Sequence, residues 1–273
     1  YLSDKIKGYL LGAAIGGALL SLFVWFYTVA GDNFWWYAWI LFSVFTLFFT
    51  MFYTSLIVPI FNKLQPLETG SLREKIEAFA QKVSFPLTNI FVIDGSKRST
   101  KANAYFSGLG SKKTIVLFDT LINEQSEDEL VSVLAHEVGH YKMKHIQKGM
   151  IIGVLQMGVL LFILSLFINK PALTQALGLQ TDVPVFHLGL IAFSLLYSPF
   201  SMITGIFMNI LSRKNEFEAD NYAKEHTGTG EHLITALRKL SANNLSNLNP
   251  NKWYVFFHYS HPPLLERVRN LMK

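Results

Sequence analysis

Four stretches of the chain carry no Asp, Glu, Lys or Arg: Tyr9 to Val29, Phe34 to Phe61, Gly149 to Ile168 and Val183 to Ser212. Each is at least about 20 residues long, enough for an α-helix to cross the hydrocarbon of a bilayer. A core helix of a soluble protein would interrupt such a run with a polar face. These runs show only scattered uncharged polar residues and one His, so four transmembrane helices are predicted. Gly12, Gly16 and Gly17 give the first a small-residue face for close helix packing. Trp35, Trp36, Tyr37 and Trp39 open the second as an interfacial aromatic belt would.

Between the apolar pairs the pattern changes. Ser71 to Val83 has helical periodicity, and Asn89 to Ile93 is rich in strand formers and ends in an Asp94-Gly95 turn. Ala102 to Leu109 and Thr114 to Phe118 are two more strand candidates, split by Gly108, Gly110 and a Lys pair. Ser126, followed by Glu127, Asp128 and Glu129, is a capping-box start, and Leu130, Val133, Leu134 and Val138 supply an apolar helical face. No proline lies between Asp128 and Ile168, so this helix is expected to run on into the third membrane helix. The segments are then 1–62 and 149–212 as membrane helix pairs, with 63–148 and 213–273 as polar segments.

Composition agrees with the pattern. At 51% hydrophobic and 16% charged residues the chain is too apolar for an ordinary soluble domain. Of its 24 Lys and Arg, 23 fall before the first helix, between residues 63 and 148, or beyond residue 212. The positive-inside rule puts those segments on the cytosolic face of a multi-pass protein, in the plasma membrane of a bacterium or the endoplasmic reticulum of a eukaryote. The net charge of +5 is thus a topology signal, and with no basic-aromatic module beside it a nucleic-acid partner is not expected. The absence of cysteine excludes disulfides, thiolate metal ligands, a cysteine nucleophile and lipidation of the chain's own thiols.

The chemistry concentrates in one helix, Val131 to His145, where His136-Glu137-x-x-His140 places two imidazoles four residues apart on one face, with Cβ atoms about 5 to 6 Å apart. Such a pair clamps one metal ion, and Glu137, rotated by about 100°, can take a proton from a water there. A catalytic zinc site needs a third protein ligand. In the helical run Asn215 to Lys224, Glu216 and Asp220 share a face while Glu218 points elsewhere. Glu216 is expected as the third ligand and Asp220 as the acceptor that orients a ligand histidine. Gly139, mid-helix at a cost of about 1 kcal/mol against Ala, implies a close approach of something to that helix. His145 extends the histidine spacing, but as an interfacial histidine rather than a ligand. His187, His226 and His258 have no assigned role.

With these motifs the chain resembles the type I CAAX prenyl proteases, membrane zinc metalloproteases of the gluzincin class. The resemblance also rests on Pro59-Ile60-Phe61-Asn62-Lys63, Asp94 to Ser99, Asn103-Ala104-Tyr105-Phe106, Ile115 to Leu121, and Ser260-His261-Pro262-Pro263-Leu264-Leu265-Glu266-Arg267. It implies a mainly α fold: a polytopic α-helical membrane protein with a small cytosolic α+β gluzincin-like zinc protease domain. One Zn2+ per chain would be held by His136, His140 and Glu216, with Glu137 as base, and the substrate would be a peptide or prenylated protein presented at the lipid bilayer. By the same resemblance Asn103, Ala104 and Tyr105 lie on an edge strand where a peptide binds extended, the alternative being an internal strand. The resemblance also implies that His261 polarises the scissile carbonyl or holds its oxyanion, the alternative being that Ser260-His261 caps the last helix, and that Arg267 anchors the site. Members of the family carry further membrane helices ahead of this region. The chain is therefore expected to lack them, a separate N-terminal fragment being one source. A general quality-control protease of the same clan and a non-catalytic membrane scaffold are the rival functions.

Overall fold

The computed structural model describes residues 2–98, 103–107 and 113–273. Ser99 of the Asp94 motif, and Ala102, Gly108, Leu109, Gly110 and Lys112 of the predicted strands and their turn, lie outside the described residues. In chain order the elements are helices α1 (Leu2–Ala30), α2 (Phe34–Leu56) and α3 (Val58–Phe61), strand β1 (Leu64–Pro66), helix α4 (Ser71–Lys82), and strands β2 (Leu87–Ile93), β3 (Ala104–Ser107) and β4 (Lys113–Phe118). The remaining elements are all helices: α5 is Asp119–Glu124, α6 Glu127–Lys142, α7 His145–Phe167, α8 Pro171–Gln175, α9 Phe186–Thr227, α10 Glu231–Asn243, α11 Lys252–His258 and α12 Leu264–Met272.

The chain divides into two compact units, residues 1–49 with 147–204, and residues 50–146 with 205–273. Three apolar helical stretches are long enough to cross a membrane: Leu2–Phe61, His145–Phe167 and Phe186–Thr227. The first contains two of the four predicted runs. A 3-10 turn at Gly31–Asn33, with Gly31 at φ +55°, reverses the chain between α1 and α2. The reversal is held by rings: Phe23 packs edge-on against Phe34 at 5.6 Å between centroids, and Phe26 stacks on Tyr37 at 5.6 Å. In the same unit the Trp39 indole donates to the Val154 carbonyl at 2.7 Å, satisfying a backbone acceptor inside α7 and a ring N–H together.

The second unit carries a four-stranded sheet in the order β1-β2-β4-β3, with β2 and β4 parallel and the outer pairs antiparallel. β1 was not expected from the sequence. β3 is an edge strand, and among the described residues no strand pairs with its other side. On the sheet lie α4, α5 and α6, sealed by Ile76, Ile90, Ile115, Leu117, Leu121, Leu130 and Leu134. A second cluster, including Phe79, Ala135, Val138, Ala223, Leu233, Leu237, Val268 and Leu271, joins α4 and α6 to α9, α10 and α12.

The helix expected to run from Asp128 through Ile168 is broken. α6 stops at Lys142, and Lys144 takes φ +60° before α7 begins at His145. That left-handed residue turns the chain without a proline, so no sequence breaker announced it. Gly139 has the neighbour its position implied: a Cβ there would lie 3.1 Å from Ala219 Cα and 3.1 Å from Tyr222 Cβ, on α9. Gly139→Val is therefore expected to destabilise the protein by about 1–3 kcal/mol, more than the helix-propensity gain returns. Gly153→Val, where nothing lies within 4 Å, is the control and should be near neutral. Thermal unfolding of the purified full chain in detergent decides it, since equal midpoints for the two variants would rule out a tight α6–α9 crossing.

Candidate metal centre

Two helices build the site. The predicted capping box fixes the start of α6: Ser126 accepts from the Glu129 N–H and the Glu129 carboxylate accepts from the Ser126 N–H. Leu130, Leu134 and Val138 then face the core, and His136 and His140 leave another side of the helix one turn apart, with Glu137 rotated from His136 toward Leu130. On α9, Ala219 and Ala223 are fully buried at the crossing, and Glu216 and Asp220 flank them, past the end of the charge-free run at Ser212.

The crossing gathers three donor groups. His136 Nε2 and His140 Nε2 are 3.2 Å apart, His136 Nε2 is 3.5 Å from Glu216 Oε2, and His140 Nε2 is 3.3 Å from Glu216 Oε1. Among the described residues this is the one His/Asp/Glu group whose ligand atoms all lie within 4.8 Å of one another. The residues fit a zinc ion on chemistry and on size. Two imidazoles and one carboxylate form a known catalytic zinc donor set, and bond lengths of about 2.0–2.1 Å imply donors about 3.3 Å apart in a tetrahedral shell.

Outside the donors lies a buried charge network. His136 Nδ1 is 2.8 Å from Asp220 Oδ1. Arg267 grips the same carboxylate from α12 with two bonds, Nη2 to Oδ1 at 2.6 Å and Nε to Oδ2 at 2.9 Å. Arg267 Nη2 also approaches His136 Nδ1 to 3.3 Å, but a guanidinium only donates, so the Nδ1 proton goes to Asp220. Burial works against a charge on His136, yet its bonds to Asp220 and Glu216 outweigh burial and raise its pKa to about 9. Burial likewise opposes the charges on Glu216 and Asp220, and their partners win. Bonds from His136 and His140 hold Glu216 below the usual carboxylate range, and bonds from His136 and Arg267 do the same for Asp220. For Glu137 burial dominates and pushes the carboxyl up.

A cavity of about 150 Å³ opens beside the donors, lined by His136, Glu137, Glu216, His261, Asn103 and Ala104, with Leu233, Leu237 and Leu240 as part of its apolar wall. Of Asn103, Ala104 and Tyr105, all expected there, Asn103 just ahead of β3 and Ala104 at its start reach it. Tyr105 points to the other face of the sheet, as strand alternation requires, and packs with the Val58, Ile93 and Val116 cluster and Phe118. His261 is two-thirds exposed, with Nε2 3.4 Å from Glu216 Oε1 and Nδ1 3.0 Å from Ser260 Oγ.

Sequence reasoning missed two features. Arg213 donates to the Val255 and Tyr259 carbonyls at 3.1 and 2.5 Å, and Asn209 donates to the Phe257 carbonyl at 2.9 Å, tying the segment just before His261 to α9. His145, expected at an interface, is instead buried against His140, and Glu218, expected to point away, bonds to it. The histidine spacing was a visible signal for the second feature; no pattern signalled the first. His226 stacks on Tyr222 and bonds its carbonyl, outside the donor group.

Residues 66–273 match peptidase family M48, and residues 1–63 match the family described as CAAX prenyl protease N-terminal, five membrane helices. The chain is 40% identical over 275 residues to CAAX prenyl protease 1 homolog of Dictyostelium discoideum, covering 100% of this chain and 64% of that protein. It is 37% identical over 286 residues to CAAX prenyl protease 1 of Saccharomyces cerevisiae, covering 99% of this chain and 63% of that protein. The fold matches the crystal structure of S. mikatae Ste24p with a TM-score of 0.92 at 36% identity, over 100% of this chain and 66% of that one. The chain thus spans a little under two thirds of the length of these relatives. The match of residues 1–63 corrects the expectation that the N-terminal membrane helices are lacking, and leaves a separate fragment supplying them without support.

If Glu216 is the third ligand, Glu216→Ala should retain less than about a tenth of wild-type zinc after dialysis against a weak chelator, since two histidines alone leave the shell incomplete. Metal analysis of the purified full chain reads this directly. Wild-type zinc content in the variant would remove Glu216 from the ligand set.

Proposed function

Because the chain belongs to peptidase family M48, we propose that it is a zinc-dependent integral-membrane endopeptidase that cleaves prenylated proteins near their C-terminus. The observation that carries the reading is a cavity beside the His136–His140–Glu216 donor group whose wall includes His136, Glu216, the Glu137 residue and the start of the β3 edge strand. The proposed setting is the endoplasmic reticulum membrane, with the metal site on the cytosolic side where the basic residues concentrate.

One zinc ion per chain, when bound, supplies Lewis acidity to a peptide carbonyl and to the attacking water. The residues do the rest. A substrate running extended along β3 extends the sheet by one antiparallel strand, with Asn103 and Ala104 nearest the reacting bond. Glu137 takes the proton of the attacking water and returns it to the leaving amine, and burial moves its pKa toward the range where a carboxylate is an effective base. His261, reaching the cavity from the Ser260-His261-Pro262-Pro263 turn, donates to the oxygen on which negative charge develops. Asp220 and Arg267 hold His136 in register, and Arg267 also forms part of the cavity wall.

Two measurements test this. Glu137→Gln should keep its zinc and its fold while kcat falls by about 10²-fold or more, the usual range for loss of general base catalysis. Retained turnover would assign the proton transfer elsewhere. On substrate, kcat/KM for a farnesylated peptide should exceed that of the unmodified peptide by at least about tenfold in the same detergent. Each buried CH₂ is worth about 0.8 kcal/mol, and much of that gain is expected in KM. Equal values would favour a general membrane protease over a prenyl-specific one.

A further inference from the structure

His136 has its outer nitrogen satisfied by Asp220; the outer nitrogen of His140 is satisfied differently. His140 Nδ1 lies 3.0 Å from His145 Nδ1, and His145 Nε2 lies 3.0 Å from Glu218 Oε2. The carboxylate at the far end sets the direction of this chain, because an ionised carboxylate can only accept. His145 Nε2 therefore donates to Glu218, which in a neutral imidazole leaves Nδ1 as an acceptor. His140 Nδ1 must then be the donor, and its remaining lone pair sits on Nε2, the nitrogen facing His136 and Glu216. From this we infer that His145 and Glu218 are positioning residues of the metal centre, a two-member relay that fixes the tautomer and orientation of His140 as Asp220 fixes those of His136.

The local structure serves that arrangement. The left-handed Lys144 turns the chain so that His145 comes back under the last turn of α6 instead of continuing its helix. The His140 and His145 rings meet edge to face, 5.1 Å between centroids at 75°. The His145 side chain is 3% exposed, so its two nitrogens need partners, while Glu218 is 38% exposed and carries Lys214 Nζ at 3.7 Å from its other oxygen. Glu218, Lys214 and His145 thus form the outer end of a path that runs from the surface to a ligand nitrogen.

The inference rests on the metal reading of the site, and the test separates the two. Zinc dissociation constants are measured by chelator competition for the full chain and for His145→Phe, His145→Asn and Glu218→Ala, together with the visible absorption of the cobalt-substituted proteins. His145→Phe should weaken zinc about 10- to 100-fold and alter the cobalt spectrum, the range for loss of a partner of a ligand histidine. His145→Asn, whose Oδ1 can replace Nδ1 as acceptor, should recover part of the loss. A packing role predicts the reverse order, because Phe fills the volume better than Asn. Glu218→Ala, on a side chain partly in solvent, should fold normally and weaken zinc in the same direction. Wild-type affinity and spectrum in both His145→Phe and Glu218→Ala, or tighter zinc in Phe than in Asn, would overturn the relay while leaving the metal site standing. A wild-type chain that takes up no zinc would overturn both.

Discussion

Everything at the centre depends on how closely α6 and α9 cross. Gly139 has no side chain and Ala219 has only a methyl group, so the two backbones meet where a Cβ on residue 139 would sit 3.1 Å from the opposing Cα. That contact, next to His140, one turn from His136 and one turn from Glu216, brings donors from two helices to within 3.5 Å of one another. A larger residue at the crossing would move the helices apart by the breadth of a methyl group, which is comparable to the difference between a closed and an open coordination shell. Helix packing and chemistry are therefore the same constraint here. The mid-helix glycine, costly for α6 alone, is accounted for by what it permits.

The crossing also forces charges out of water, and they hold together because each one faces another. Glu216 and Asp220 bring two negative charges into a buried space, and Arg267 returns one positive. The same two carboxylates favour a proton on His136 and raise its pKa to about 9 against the opposing effect of burial. A cation bound at Nε2 would compete with that proton, because a metal ligand must be deprotonated at the binding atom. Such a network is weak evidence for stability, since burying ions costs several kcal/mol each. Its value is in direction: Arg267 clamps both oxygens of Asp220, Asp220 takes the Nδ1 proton of His136, and Nε2 is left to bind.

How much of this was legible in the sequence follows from which contacts are local. The capping box at Ser126 and Glu129, the i,i+4 pairs His136/His140 and Glu216/Asp220, and the four apolar runs are all set by periodicity within one helix, and periodicity can be read from residues alone. Pairing across helices cannot. Glu218 lies about 200° around α9 from Glu216, so helical geometry said it pointed away. It does so, toward His145, which only a left-handed Lys144 could put there. Likewise β1 is three residues ending in Pro66, too short to show alternation, and it exists because β2 offers it an edge. Arg213 and Asn209 are clamps for carbonyls, and a backbone acceptor leaves no trace in a side-chain pattern.

The two histidines of the donor group end up supported in unequal ways, and the inequality has a physical consequence. His136 rests on a carboxylate with no solvent exposure that is itself held by two bonds from Arg267, so neither ring nor acceptor has freedom to move. His140 rests on another ring, and that ring rests on a carboxylate that solvent and Lys214 can also reach. A hydrogen-bonded chain of two links accumulates the play of both, and its outer end competes with water for its partner. The His136 side of the centre is thereby the fixed reference for the cavity that Glu137 and β3 share. The His140 side is held by the longer and more solvent-accessible of the two chains. For the proposed metalloprotease the difference matters, because a site is only as precise as the shell that supports it, and the better supported wall is the one beside Glu137.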